Sequence, residues 1–276
     1  MTSTETRRST MTLPLAGAGP VDVSVDERGA SQPFLLLHGG AGPESAAGFA
    51  EFFAAACPVR VITPTHPGFG GTSRPGGLDS IRQLASVYDS LLAELDVTDV
   101  TVIGNSIGGW IAAELALLGS PRVSGVVLVD AVGIEVPDHP VADAFTLSLD
   151  QVVTLSFHDP VPFTVDPAAL PESARAVMAG NQAALAGYTG KSMTDPSLAG
   201  RLAGLEAPVL VLWGDSDQIA DPEYGRAYAA AIPVARFQLL RRTGHMPQVE
   251  TPGQLLYAIW DCANTDFSGQ RDLGLN

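Results

Sequence analysis

The stretch VIGNSIGGW, Val102 to Trp110, sets one serine between glycines where an apolar run ends and a helix-like run begins. A chain that passes from strand to helix in so few residues must turn sharply at Ser106. Gly104 and Gly108 remove the side chains that would collide in such a turn. The G-x-S-x-G pattern is weak evidence alone, because chance supplies it readily in a chain with 29 glycines. Its context raises it: VTVIG (100–104) reads as a buried strand and IGGWIAAELAL (107–117) as a helix.

The same rhythm extends in both directions. Continuous apolar runs recur at PFLLLHG (33–39), PVRVITP (58–64), VSGVVLVD (123–130) and PVLVLWG (208–214), which predicts strands covered on both faces. Helical patterns lie between them at 46–56, 81–95 and 107–118. Strands alternating with helices predict a parallel sheet in an α/β domain. VDVSVDERG (21–29) alternates and predicts an antiparallel edge strand, while ARFQLL (235–240) completes the sheet. From about Gly133 to Leu205 the strand rhythm stops, and helical, proline-punctuated sequence predicts an inserted cap. The domain reading is a core over 11–133 and 206–276, a cap over 134–205, and a disordered tail over 1–10.

Composition bounds the chemistry. A formal charge of −15 argues against nucleic acid or anionic membrane as a partner, since both reward basic surfaces. Arg7 and Arg8 precede an apolar stretch too short for an export signal, and charged residues interrupt every candidate membrane span. The expectation is a cytoplasmic protein with a small-molecule substrate; a homodimer stays open. Cys57 and Cys262 sit in apolar segments without metal-ligand spacing, so they read as free thiols, and neither metal nor cofactor is expected.

A catalytic serine needs an imidazole to take its proton and a carboxylate to fix that imidazole's tautomer. Ser106, at the start of a helix, also has the Ile107 amide available for an oxyanion. HGGAG (38–42) ends a strand, and its glycines Gly39 and Gly40 let backbone approach a substrate; Gly40 is the choice for a second amide. His38 and His66 read as structural, bonding backbone around that loop. Asn105 reads as a polar turn residue, a support of the same loop or a substrate contact. His158, in FHDP (157–160), is read as part of a turn.

Together HGG, HPGFGGTS (66–73), GNSIGG, WGDSDQIADP (213–222) and TGHMPQVETP (243–252) resemble the α/β-hydrolase superfamily over roughly residues 20–262. The resemblance implies the α/β-hydrolase fold: a mostly parallel eight-stranded sheet, helices on both faces, and an inserted helical cap. It places the acid at Asp217 and the base at His245. Asp130, which ends the preceding core strand, and Asp215 and Asp221 nearby remain alternative carboxylates. The order Ser106, Asp217, His245 is the one this fold uses.

The implied reaction is ester hydrolysis through an acyl-enzyme. Serine, rather than aspartate, at position 106 disfavours dehalogenase and epoxide hydrolase chemistry. The meta-cleavage product hydrolases, which break a carbon–carbon bond in diketo acids, are the alternative. Those enzymes usually have a cap arginine and a tryptophan after the histidine, whereas here the cap cations are Arg175, Lys191 and Arg201, and Met246 follows His245. A ligand receptor on the same scaffold is the third reading.

Overall fold

The computed structural model describes residues 5–17 and 19–265. Eight strands form one sheet: β1 (Arg7–Leu13), β2 (Val21–Gly29), β3 (Gln32–Leu37), β4 (Val59–Pro64), β5 (Val100–Asn105), β6 (Val123–Val129), β7 (Val209–Gly214) and β8 (Ala235–Leu240). Their spatial order is β1-β2-β4-β3-β5-β6-β7-β8. β1 and β2 pair antiparallel, as do β2 and β4, and every later pairing is parallel. This is the α/β-hydrolase fold that the sequence implies.

Nine α-helices are described: α1 (Glu44–Ala56), α2 (Ile81–Glu94), α3 (Ile107–Leu117), α4 (Leu149–Ser156), α5 (Glu172–Thr189), α6 (Leu198–Leu202), α7 (Pro222–Ala230), α8 (Pro247–Glu250) and α9 (Pro252–Thr265). Successive side chains of a strand point to opposite faces, and the core divides accordingly. Leu35, Leu37, Val102 and Trp213 pack with α2, α3 and α7 on one face, while Phe34, Leu36, Ile103 and Leu212 pack with α1 and α9 on the other. The all-apolar runs are thus strands with a helical layer on each side.

Two expectations need correction. The tail expected over 1–10 is ordered from Arg7, where β1 begins, and residues 1–4 lie outside the described residues. β2 is therefore not the edge strand, because β1 pairs with it from Val21 to Glu27. RRSTMTL carries little hydrophobic signal: Met11 and Leu13 reach the core, and the rest is held by ladder hydrogen bonds and by cross-strand pairs. Arg8 meets Asp26 at 2.7 Å and Thr12 donates to Asp22 at 2.6 Å. A polar, charged outer strand also protects the sheet from pairing with another chain.

Between β6 and β7 the chain leaves the sheet and runs through α4, two 3₁₀ turns (Val161–Phe163 and Pro167–Ala169), α5 and α6. Asn181, on α5, anchors this segment: its Oδ1 accepts from Gly70 N–H at 2.8 Å and its Nδ2 donates to the Ala41 carbonyl at 3.1 Å. Among the described residues no helix is long and apolar enough to cross a membrane.

Candidate active site

Ser106 joins β5 to α3 with φ 56° and ψ −119°, a left-handed conformation that costs a side-chain-bearing residue on the order of 1–3 kcal/mol. The surrounding glycines make it possible. A Cβ on Gly104 would lie 2.0 Å from the Gly108 carbonyl oxygen, and one on Gly108 would lie 2.3 Å from the Leu37 oxygen. The elbow is tied to the sheet by Ser106 N–H donating to Val129 O at 3.0 Å. Ser106 Oγ caps no amide and has no hydrogen-bond partner among the described residues.

His245 and Asp217 lie in the loops after β8 and β7. His245 Nδ1 is 2.8 Å from Asp217 Oδ2, and both residues are buried. Asp217 Oδ1 accepts from the Ile219 and Ala220 amides at 2.8 and 3.2 Å, which fixes the carboxylate in place. With Nδ1–H donating to a carboxylate, the imidazole keeps the lone pair on Nε2. His245 and Ser106 line the same cavity, but no hydrogen bond joins them; such contacts commonly tighten only when substrate binds.

Of the other acids, Asp221 caps α7 through the Glu223 and Tyr224 amides and pairs with His139, and Asp215 accepts from Ser216 Oγ. Asp130 alone joins the pair. Side-chain oxygen or nitrogen atoms of Asp130, Asp217 and His245 all lie within 4.8 Å of one another, a grouping of two acids and an imidazole found nowhere else among the described residues. Burial pushes the Asp130 carboxyl well above the usual carboxylate range, and the neighbouring Asp217 charge pushes it further.

The Ile107 amide stands at the helix start with no intrahelical acceptor, and the Gly40 amide is likewise unbonded among the described residues. Both residues, with Gly39, line the cavity beside Ser106. His38 and His66 form the scaffold behind them, their rings 3.7 Å apart. His66 N–H donates to His38 Nε2 at 3.1 Å, so His38 Nδ1–H donates to the Gly39 carbonyl at 2.8 Å. His66 Nε2–H donates to the His38 carbonyl, and Tyr88 O–H donates to His66 Nδ1. Burial lowers His38 to about 4 and, together with neighbouring His38, puts His66 well below 6.5. Both stay neutral as the bonding requires.

Asn105 binds the histidine loop rather than the glycine loop. Its Nδ2 donates to the His245 carbonyl at 2.9 Å and its Oδ1 accepts from Gln248 Nε2 at 3.1 Å. His158 contacts Ser216 Oγ at 2.8 Å and does not line the cavity.

Three supports had no assignment from sequence. The Ser156 carbonyl accepts from His245 N–H at 2.7 Å. Glu250 accepts from Gly244 N–H at 2.7 Å and from Asp159 N–H at 3.0 Å, so the end of α4 and the histidine loop close into one ring of hydrogen bonds. Gln248 holds Asn105. Glu250 and Gln248 lie within TGHMPQVETP, the stretch that carries the resemblance around His245; nothing local marks Ser156.

The cavity encloses about 440 Å³. Its walls are mostly apolar, with Leu147, Leu149, Val152 and Leu185 from the segment between β6 and β7, and no Asp, Glu, Lys or Arg lines it among the described residues. Arg201 is engaged elsewhere, by Glu114 and Asp195.

Comparison with known proteins agrees with this geometry. Residues 34–259 match the model of the alpha/beta hydrolase family. Lipase 1 of Psychrobacter immobilis is 30% identical, over 80% of this chain and 73% of its own length. A 2-hydroxy-6-oxononadienedioate/2-hydroxy-6-oxononatrienedioate hydrolase of Paraburkholderia phymatum is 27% identical, over 91% of this chain and 93% of its own. A thermophilic esterase from Thermogutta terrifontis superimposes with a TM-score of 0.75 at 22% identity, covering 94% of this chain and 98% of that one. With most of its length matched to the family model, and with the sheet order and elbow described above, the chain belongs to the alpha/beta hydrolase family.

Proposed function

We propose that this enzyme is a serine hydrolase of small, uncharged carboxylic esters, with Ser106 as nucleophile, His245 as base and Asp217 as the acid that orients it. The observation that carries the reading is Ser106, held in a strained turn at a helix start on the wall of a cavity it shares with an aspartate-bound histidine. His245 Nε2 takes the Ser106 proton as Oγ attacks the ester carbonyl. The Ile107 and Gly40 amides, both free, receive the oxyanion. The tetrahedral intermediate collapses, and the alcohol leaves with the proton from His245. Water then attacks the acyl-enzyme by the same path, its proton passing through His245, and the acid is released.

The cavity favours esters over meta-cleavage products. The relatives that cleave carbon–carbon bonds are named for dienedioate and dienoic acid substrates, which are anions. An anion in a cavity with no cationic wall is left without a partner, at a cost of several kcal/mol. A volume of about 440 Å³ falls low in the roughly 300–1,000 Å³ range of ligand pockets, which supports short acyl chains. The test is labelling by a fluorophosphonate, with turnover of p-nitrophenyl acetate, butyrate, hexanoate and palmitate beside a diketo acid. Labelling and turnover that both vanish in Ser106→Ala, with a short-chain optimum, are expected. Preference for the diketo acid would favour carbon–carbon hydrolysis, and labelling without any turnover would favour a receptor.

A further inference from the structure

Asp130 is the one acid at the site with no role in the reaction above. It follows β6 with φ 45° and is fully buried. Its Oδ1 accepts from Gly214 N–H at 2.7 Å, while its Oδ2 is buried without a hydrogen-bond donor among the described residues. Asp217, with both oxygens occupied by His245 and by the Ile219 and Ala220 amides, stands beside it. The titratable groups that face Asp130 are Asp217 and His245, and no arginine or lysine pairs with it among the described residues.

Two buried carboxyls this close do not both ionise. A buried oxygen without a donor, next to an anionic acceptor, is satisfied when it carries a hydrogen of its own. We propose that Asp130 is a positioning residue of the triad: a protonated acid whose O–H donates to Asp217, and which becomes the carboxylate facing His245 when position 217 is made neutral. The pair then carries a single negative charge beneath the imidazole, shared between two strand ends.

The proposal rests on the triad reading but is tested in part without it. Infrared difference spectra of wild type against Asp130→Asn at neutral pH report the proton directly. A protonated-carboxyl carbonyl band present in wild type and lost in the variant is expected; its absence overturns the proposal whether or not the protein hydrolyses esters. Failure of ester turnover with the band present would instead sink the proposed function and leave the proton in place.

Kinetics supply the second arm. Loss of a triad acid to its amide lowers kcat by about 10⁴-fold where no substitute exists. Asp217→Asn is expected to lose only on the order of 10²-fold, because Asp130 then ionises, and to gain activity as pH rises through that ionisation. Asp130→Asn/Asp217→Asn is expected to lose about 10⁴-fold and to lack that limb. Circular dichroism checks that each variant folds. A double variant no slower than Asp217→Asn, or the same pH profile in both, overturns the proposal.

Discussion

Ser106 is a position where the backbone works against its own residue. At φ 56° and ψ −119° a glycine is at ease and a serine is not. The strain of about 1–3 kcal/mol persists because β5, α3 and the Val129 carbonyl hold the turn. Ser106→Gly is therefore expected to be inactive yet to melt roughly 2–4 °C above Ser106→Ala, which keeps the strain. A calorimetric Tm at or below that of Ser106→Ala would refute stored strain. His38 and His66 make a second residue-scale prediction. Burial lowers His38 from 6.5 to about 4, so the unfolded chain binds a proton more readily than the folded one. Stability is intact above pH 6.5, falls as pH drops from 6.5 towards 4, by about 3 kcal/mol for His38, and levels off below 4, with His66 acting in the same sense. Denaturant midpoints measured against pH should show that slope, shallower in His38→Asn; equal slopes would contradict it.

At the scale of elements, the loops after β7 and β8 matter through what braces them. Glu250 joins Gly244 and Asp159, and Ser156 holds the His245 amide, so the end of α4 and the histidine loop are tied together. Glu250 lies outside the cavity wall. Glu250→Ala removes two charge-assisted hydrogen bonds, each worth about 1.5–3 kcal/mol. It is expected to lower kcat on the order of tenfold with KM nearly unchanged. A raised KM at constant kcat would mean the ring shapes the pocket and not the base. This level also marks what was legible in the sequence. β3 to β7 announce themselves because burial on both faces demands largely apolar runs, and the elbow because Gly104 and Gly108 have no room for a Cβ. β1 is nearly silent because only Met11 and Leu13 reach the core, and the rest of its stability lies in backbone pairing and surface charge. The resemblance favoured Asp217 over Asp130 because of its place in the loop after β7, and the packed loops put the Asp217 carboxylate on His245 Nδ1. Asn181 is invisible in the sequence, since its partners at Gly70 and Ala41 lie more than a hundred positions away.

Over the whole molecule, a net charge of −15 coexists with a cavity that bears no charged wall. Among the described residues most acidic side chains populate the surface and the loop braces, while the space above Ser106 is left to apolar side chains from the segment between β6 and β7. That division makes the account specific: a neutral ester enters, and chemistry occurs at one oxygen. Acid-quenched turnover of p-nitrophenyl butyrate, followed by peptide mass mapping, tests this most directly. The account predicts a butyryl adduct on Ser106 and on no other residue, absent together with turnover in Ser106→Ala. Turnover that survives in Ser106→Ala, or an adduct on a different side chain, would contradict it.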